Sequence, residues 1–222
     1  MNFNQSGRSM IEMLGVLAII AVLSVVGVAG YSKAMEKFKV NKIVTEYNML
    51  IQGLLEYKPK LGKENFNMNE LVSVLNLIPN TWKKDNGVSD NFGGFIDSYG
   101  NRIRIGYRPP NDTWNKTNPE NEGIFIDYFL GTMKYDEQGI IKAESFSEKI
   151  CLELFENAIK PLHSVVHAGW VNTGKYSSGT SYYYGDAYCS KNTRCLRDIT
   201  LEQIQSICVC DKLKHCNVTI IF

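Results

Sequence analysis

Residues 7–31 read GRSMIEMLGVLAIIAVLSVVGVAGY, and this stretch decides the architecture. From Leu14 to Tyr31 the chain has 18 residues without a charge. A helix of that length spans about 27 Å, close to the hydrocarbon thickness of a bilayer. A buried core helix is a poor alternative at this length and at the extreme N-terminus. Glu12 stands at the head of the apolar run. A carboxylate in hydrocarbon costs about 3 kcal/mol, so an acid there implies a counter-charge and a function. The nearest cation is Arg8, together with any amino terminus created beside it.

These residues resemble the prepilin signature of type IV pilins and the related pseudopilins. That signature is a short polar leader ending in Gly, a hydrophobic residue, four more positions ending in Glu, and then a long apolar stretch. Here the leader is residues 1–7, cleavage falls between Gly7 and Arg8, and Glu12 is the fifth residue after the cut. The likeness covers about the first 50 residues. The family carries Phe or another apolar residue after the cut, and this chain carries Arg8. The resemblance implies a membrane peptidase that removes the leader and methylates the new amine at Arg8. It implies a homo-oligomeric pilus filament serving adhesion, motility, aggregation or DNA uptake, in which Glu12 pairs with the amine of a neighbouring subunit. It also implies a precursor in the bacterial inner membrane, N-terminus cytoplasmic and head periplasmic, handled by pilus or secretion assembly machinery and then exported. No cofactor, metal or catalytic residue is implied.

Other readings stay open. A minor pilin or a type II secretion pseudopilin shares the same chemistry. A secreted adhesive domain with an ordinary signal peptide also begins with an apolar stretch, here followed by the small residues Val28, Ala29 and Gly30. Against it stand the acid at the head of the apolar run, a leader without Lys or Arg, and a helical pattern that runs on past residue 30. Lys33, Lys37, Lys39 and Lys42 follow the apolar segment, and the positive-inside rule places them in the cytoplasm. The cysteines argue for export and outweigh that signal.

After Tyr31 the apolar positions become periodic: Met35, Phe38, Ile43, Tyr47, Leu50, Ile51, Leu54 and Leu55. Spacings of three and four make a stripe on one helical face, with Lys37, Lys39, Lys42, Glu46 and Glu56 elsewhere. Pro59 closes the run. Residues 8–57 as one helix are about 75 Å long. That suits a membrane or filament-core half, 8–31, followed by an amphipathic half, 32–57, that docks on a sheet. Gly27 and Gly30 each cost the helix about 1 kcal/mol relative to Ala. They mark sites of local unwinding or of close helix packing.

Residues 58–222 are polar, Asn-rich and aromatic, and long enough for one core. Asn67 and Glu70 form a cap ahead of Leu71, Val72, Val74 and Leu75, predicting a short helix ended by Pro79. Residues 92–96 and 102–108 flank a Gly100-Asn101 turn. There Ile103, Ile105 and Tyr107 alternate with arginines, a hairpin with one buried face. Residues 111–122 read as a polar loop and 123–130 (GIFIDYFL) as a strand. Ile140 and Ile141 pair back across a turn at 136–139. Ser145 and Glu148 make a second capping box for a helix to about Lys160, stopped by Pro161. Residues 174–185 are a Gly-, Ser- and Tyr-rich loop. Thr200 and Gln203 open a further short helix, and 216–222 (CNVTIIF) read as a terminal strand, which would tie the terminus down if it paired inside the sheet. The order predicts an α+β fold: a long N-terminal helix, its first half transmembrane, packed on a mostly antiparallel sheet.

All six cysteines lie after residue 150: Cys151, Cys189, Cys195, Cys208, Cys210 and Cys216. An even number in the exported part predicts disulfides, and six cysteines allow fifteen pairings. A zinc site on Cys208, Cys210, His215 and Cys216 lacks a C-x-x-C pair, and reduced buried cysteines are a further alternative. The stretch 151–170 (CLELFENAIKPLHSVVHAGW), the late short helix, a Cys and a final strand are together similar to type IVb pilins. That resemblance implies a bridge from Cys151 to Cys208. Cys189 with Cys195, and Cys210 with Cys216, would then close two small loops.

His163 and His167 sit four apart, but Ser164 follows the first, so the H-E-x-x-H motif is missing. There is no G-x-S-x-G, P-loop or dinucleotide fingerprint, and nothing points to an enzyme. The 182–184 tyrosines read as a plain loop or as a recognition surface. A net charge of +1 implies no general attraction to nucleic acid or anionic lipid.

Overall fold

The computed structural model describes residues 10–62, 68–85, 94–110, 122–131, 133–135, 141–143, 145–172, 182–210 and 216–222. The chain forms two compact units, Met1–Lys42 and Ile43–Phe222. Helix α1, Met10–Tyr57, is continuous over 48 residues. In the first unit it is exposed around its circumference from Met10 to Lys39. In the second unit its apolar stripe is buried at Ile43, Val44, Tyr47, Leu50, Ile51 and Leu54, the three-and-four spacing of a helix docked on one face.

The second unit is built on one antiparallel sheet. In chain order its strands are β1 (Lys83–Asp85), β2 (Gly94–Ile96), β3 (Arg102–Arg108), β4 (Gly123–Phe129), β7 (Ala168–Asn172), β8 (Tyr183–Tyr184) and β9 (Asn217–Ile221). Their spatial order is β1-β2-β3-β4-β9-β7-β8. The last strand of the chain therefore lies between β4 and β7, with Phe125 opposite Ile221 and Trp170 opposite Thr219. The predicted hairpin is β2–β3, with Phe95 opposite Ile103, and Gly100 at φ +87° makes its turn. A separate pair, β5 (Met133–Tyr135) and β6 (Ile141–Ala143), sets Tyr135 against Ile141. The predicted turn at 136–139 lies outside the described residues.

Alternation along the central strands puts Ile103 and Ile105, Ile124, Ile126 and Tyr128, and Val218, Ile220 and Phe222 on one face, all buried. α1 packs there, with the Tyr47 ring 4.8 Å from that of Tyr128. Gly123, at φ +124°, lets the chain enter β4 hard against the Phe222 backbone, where a Cβ would collide with the carbonyl oxygen. Beyond β8 the sheet edge is closed: Tyr184 N donates to Arg194 O at 2.8 Å, beside a parallel bridge to Cys195. Covering an edge removes a template for unwanted pairing.

Several local expectations are corrected. Helix α2 (Met68–Val74) ends at Val74 and is closed at Asn76, well before Pro79. Asn76 adopts φ +52° and donates to Ser73 O while Leu77 N donates to Val72 O, the left-handed close that Asn tolerates. Its predicted cap residue, Asn67, lies outside the described residues. Helix α3 (Glu148–Leu154) is capped by Ser147, which accepts from Ile150 N, and not by Ser145. The winding then passes through a π-type turn, Phe155–Ile159, and a 3₁₀ turn, Lys160–Leu162, with Pro161 inside it. Proline fits there because the first donors of a turn have no partner to lose. Helix α4 (Leu201–Ile207) has the predicted box, Thr200 and Gln203 each bonding the other's backbone. β1 and β7 fall outside the expected strands, and β8 lies within the stretch 174–185 expected to be a loop, where it pairs with β7.

Candidate functional site: the apolar helix and its anchorage

The first unit presents an apolar cylinder. Met10, Ile11, Leu17, Leu23, Val25 and Val28 are each more than half exposed, on all sides of the helix. A helix apolar all round needs lipid or other apolar helices to cover it. By length and composition it can cross a membrane. Ser24, within this stretch, is internally bonded, its Oγ donating to Ile20 O at 2.7 Å, so burial would not strand that hydroxyl. Gly15, Gly27 and Gly30 have open space where a side chain would stand, so another helix could approach closely there. Glu12 lies in the first described turn of α1. Gly7 and Arg8 lie outside the described residues.

The second unit holds its share of α1 through buried polar groups as well as apolar packing. Glu46, expected on the polar face, is buried and accepts from Trp82 Nε1 at 2.7 Å. Buried Asp97 accepts from the backbone amides of Tyr99 and Asn101, from Asn101 Nδ2 and, at 3.1 Å, from Tyr128 Oη. That knots the hairpin turn to β4. Asp127, in the middle of β4, bonds Arg104 and accepts from Thr219 Oγ1 at 2.6 Å and Asn217 Nδ2 at 3.2 Å. The hairpin therefore has no simple polar face: Arg102 is also buried, its Nε 2.6 Å from Asp85 Oδ2. Burial, and then nearby Asp127, raises the Tyr47 pKa well above the usual phenol value, so it stays neutral. Burial chiefly, with Asp97 beside it, does the same to Tyr128. Of these groups only Asp127 had a signal in the sequence that could have found it, the charge inside GIFIDYFL.

The six cysteines form three disulfides: Cys151–Cys208, Cys189–Cys195 and Cys210–Cys216. The first joins α3 to the end of α4, and the second closes the segment that covers β8. Cys208, Cys210 and Cys216 thus spend their sulfurs on two bridges, and His215 lies outside the described residues. Among the described residues no three His, Cys, Asp or Glu side chains gather as a metal site. His163 and His167 do not share a helix face. His163 follows the 3₁₀ turn and pairs with Asp186 at 2.9 Å, while His167 stands just before β7. Of the tyrosine run, the Tyr182 ring lies tilted against that of Trp170, centroids 4.7 Å apart, and Tyr184 joins the edge strand.

Fold and site together define an α+β chain with an uncovered apolar helix ahead of a disulfide-bonded antiparallel sheet. No family model matches this chain, and no curated protein matches it in sequence. Among solved structures it is similar to the type IVb pilin from Salmonella typhi, with 11% identity and a TM-score of 0.48. The similarity covers 81% of this chain and 96% of that one.

Proposed function

We propose that the chain is a structural subunit of a type IV pilus-like filament, not an enzyme. The observation that carries this reading is a single carboxylate, Glu12, in the first turn of an apolar helix with no cover of its own. Residues 1–7 are a leader, 8–31 the membrane and filament-core half of the helix, 32–57 its amphipathic half, and 58–222 the exported head. The precursor is held in the inner membrane by 8–31. A prepilin peptidase cuts between Gly7 and Arg8 and methylates the new amine. Glu12 then attracts that amine on an adjoining subunit. Apolar helices that gather into a filament leave lipid without meeting water, so the packing itself is nearly neutral. The charge pair sets register, because a dry Glu12 without a cation is costly.

Sequencing the mature N-terminus tests the cut. Arg-Ser-Met-Ile-Glu supports this reading, whereas a start near Tyr31 replaces it with a secreted domain. Glu12→Val tests the pairing: the precursor is made and cut, and filaments are lost. A normal yield of filaments from that variant overturns the role of Glu12. Purified filaments composed mainly of this chain distinguish a major subunit from a minor pilin or a secretion pseudopilin.

A further inference from the structure

Two bases meet where α1 ends. Lys58 opens the 3₁₀ turn Lys58–Lys60, and its Nζ lies 3.2 Å from His167 Nε2. The other ring nitrogen, Nδ1, lies 2.8 Å from the backbone oxygen of Glu122, one residue before β4. These two contacts specify the ring. A carbonyl oxygen only accepts, so Nδ1 carries the proton, and the Nε2 lone pair accepts from the lysine ammonium. The backbone of His167 is held on both sides: its N–H donates to Ile221 O at 2.8 Å, and its oxygen accepts from Gly185 N at 2.9 Å. Tyr188 stands edge-on, ring centroids 5.0 Å apart. The ring therefore cannot move aside cheaply.

This arrangement tolerates only a neutral imidazole. A second proton removes the acceptor for Lys58 and sets an imidazolium against an ammonium. The groups around the ring are Lys58 after α1, Glu122 before β4 and the phenol of Tyr188. The Glu122 carboxylate acts on Lys58, raising a pKa that burial lowers more strongly, and it raises Tyr107 in addition to burial. The neighbouring His163 faces Asp186 instead.

We propose that Lys58 and His167 form an acid-sensitive latch that ties the C-terminal end of α1 to the sheet and opens when the imidazole takes a second proton. The latch lies wholly within the second unit and does not depend on the filament reading. Burial first, and the Lys58 charge second, lower the His167 pKa to about 4. Unfolded, the ring titrates near about 6.5. Between those values the unfolded chain binds more protons. The contribution of the neutral ring is therefore intact above about pH 6.5 and is lost as pH falls toward about 4.

The test uses the full-length chain in detergent micelles. Amide-exchange protection at residues 54–58 and 60 is expected to drop about fiftyfold from pH 7 to pH 4.5. His167→Gln keeps an acceptor for Lys58 and a donor for Glu122 without titrating, so the drop should vanish. His163→Gln should retain it. By proton resonance, the native His167 ring should titrate near pH 4, and in Lys58→Met its inflection should move upward. A drop that persists in His167→Gln overturns the latch. So does a ring that titrates near 6.5 and ignores Lys58→Met, a measurement that stands even if His167→Gln fails to fold.

Discussion

Asp127 and Tyr47 are both buried in the second unit and have opposite balances. Asp127 is buried and bonded by Arg104, Thr219 and Asn217, so its desolvation is answered. Asp127→Ala leaves the Arg104 guanidinium without that carboxylate in a mostly buried site and should cost about 3 kcal/mol in chemical denaturation. Tyr47 is fully buried, and its hydroxyl has no hydrogen-bond partner among the described residues. Tyr47→Phe should therefore hold or raise stability, by up to about 1 kcal/mol. Tyr128→Phe is the contrasting case. It loses a bond to Asp97 and should lower stability by about 1 kcal/mol. Equal losses from the two Tyr→Phe changes would contradict this account. At this scale the sequence was only partly legible. Asp127 passed unremarked inside a stretch read only as a strand, and Glu46 looked like an ordinary member of the polar face. Its indole partner is 36 residues away in the chain.

Elements differ in how far their own residues explain them. α4 was readable to the residue because its box is local: both partners of the cap lie within one turn. For α3 the sequence reading placed the cap at Ser145, but the cap is Ser147, whose extended conformation aims its hydroxyl at Ile150 N. The π-type turn that follows packs under β7, where a Cβ on Gly169 would come within 3.0 Å of Ile159. No local pattern announces such a turn, because it answers to a strand outside it. The disulfides also act between elements. Cys151–Cys208 spans 57 residues and Cys189–Cys195 spans 6. Loop-closure entropy then predicts about 4 kcal/mol lost when the first pair is replaced by alanine and about 2 for the second. Thermal unfolding of the two double variants, with the remaining bridges intact, checks that order. Replacing the short bridge should also loosen the segment over β8, seen as faster amide exchange at Tyr184.

For the whole molecule, the two units make different demands on solvent. The first exposes apolar side chains along its described length, and the second buries a core of its own. A chain restricted to residues 33–222 should stay monomeric in aqueous buffer without detergent, as size-exclusion chromatography would show. The full-length chain should require micelles or assemble. Aggregation of the shortened chain would mean that the exposed apolar positions outside the first unit, Met49, Val74, Leu201 and Val209 among them, outweigh the polar surface.

The sequence alone determined the long helix, its apolar first half, the position of Glu12 within it and the α+β order of the rest. These follow from periodicity, length and capping, which act within a few residues of one another. Only the tertiary structure decided which charges are buried, that the last strand pairs inside the sheet between β4 and β7, and that His167 meets Lys58 rather than His163. Each depends on partners far apart in the chain, 92 residues for Asp127 with Thr219 and 109 for Lys58 with His167. A buried polar group is tolerated only where such a partner arrives, and the folded chain alone brings it there.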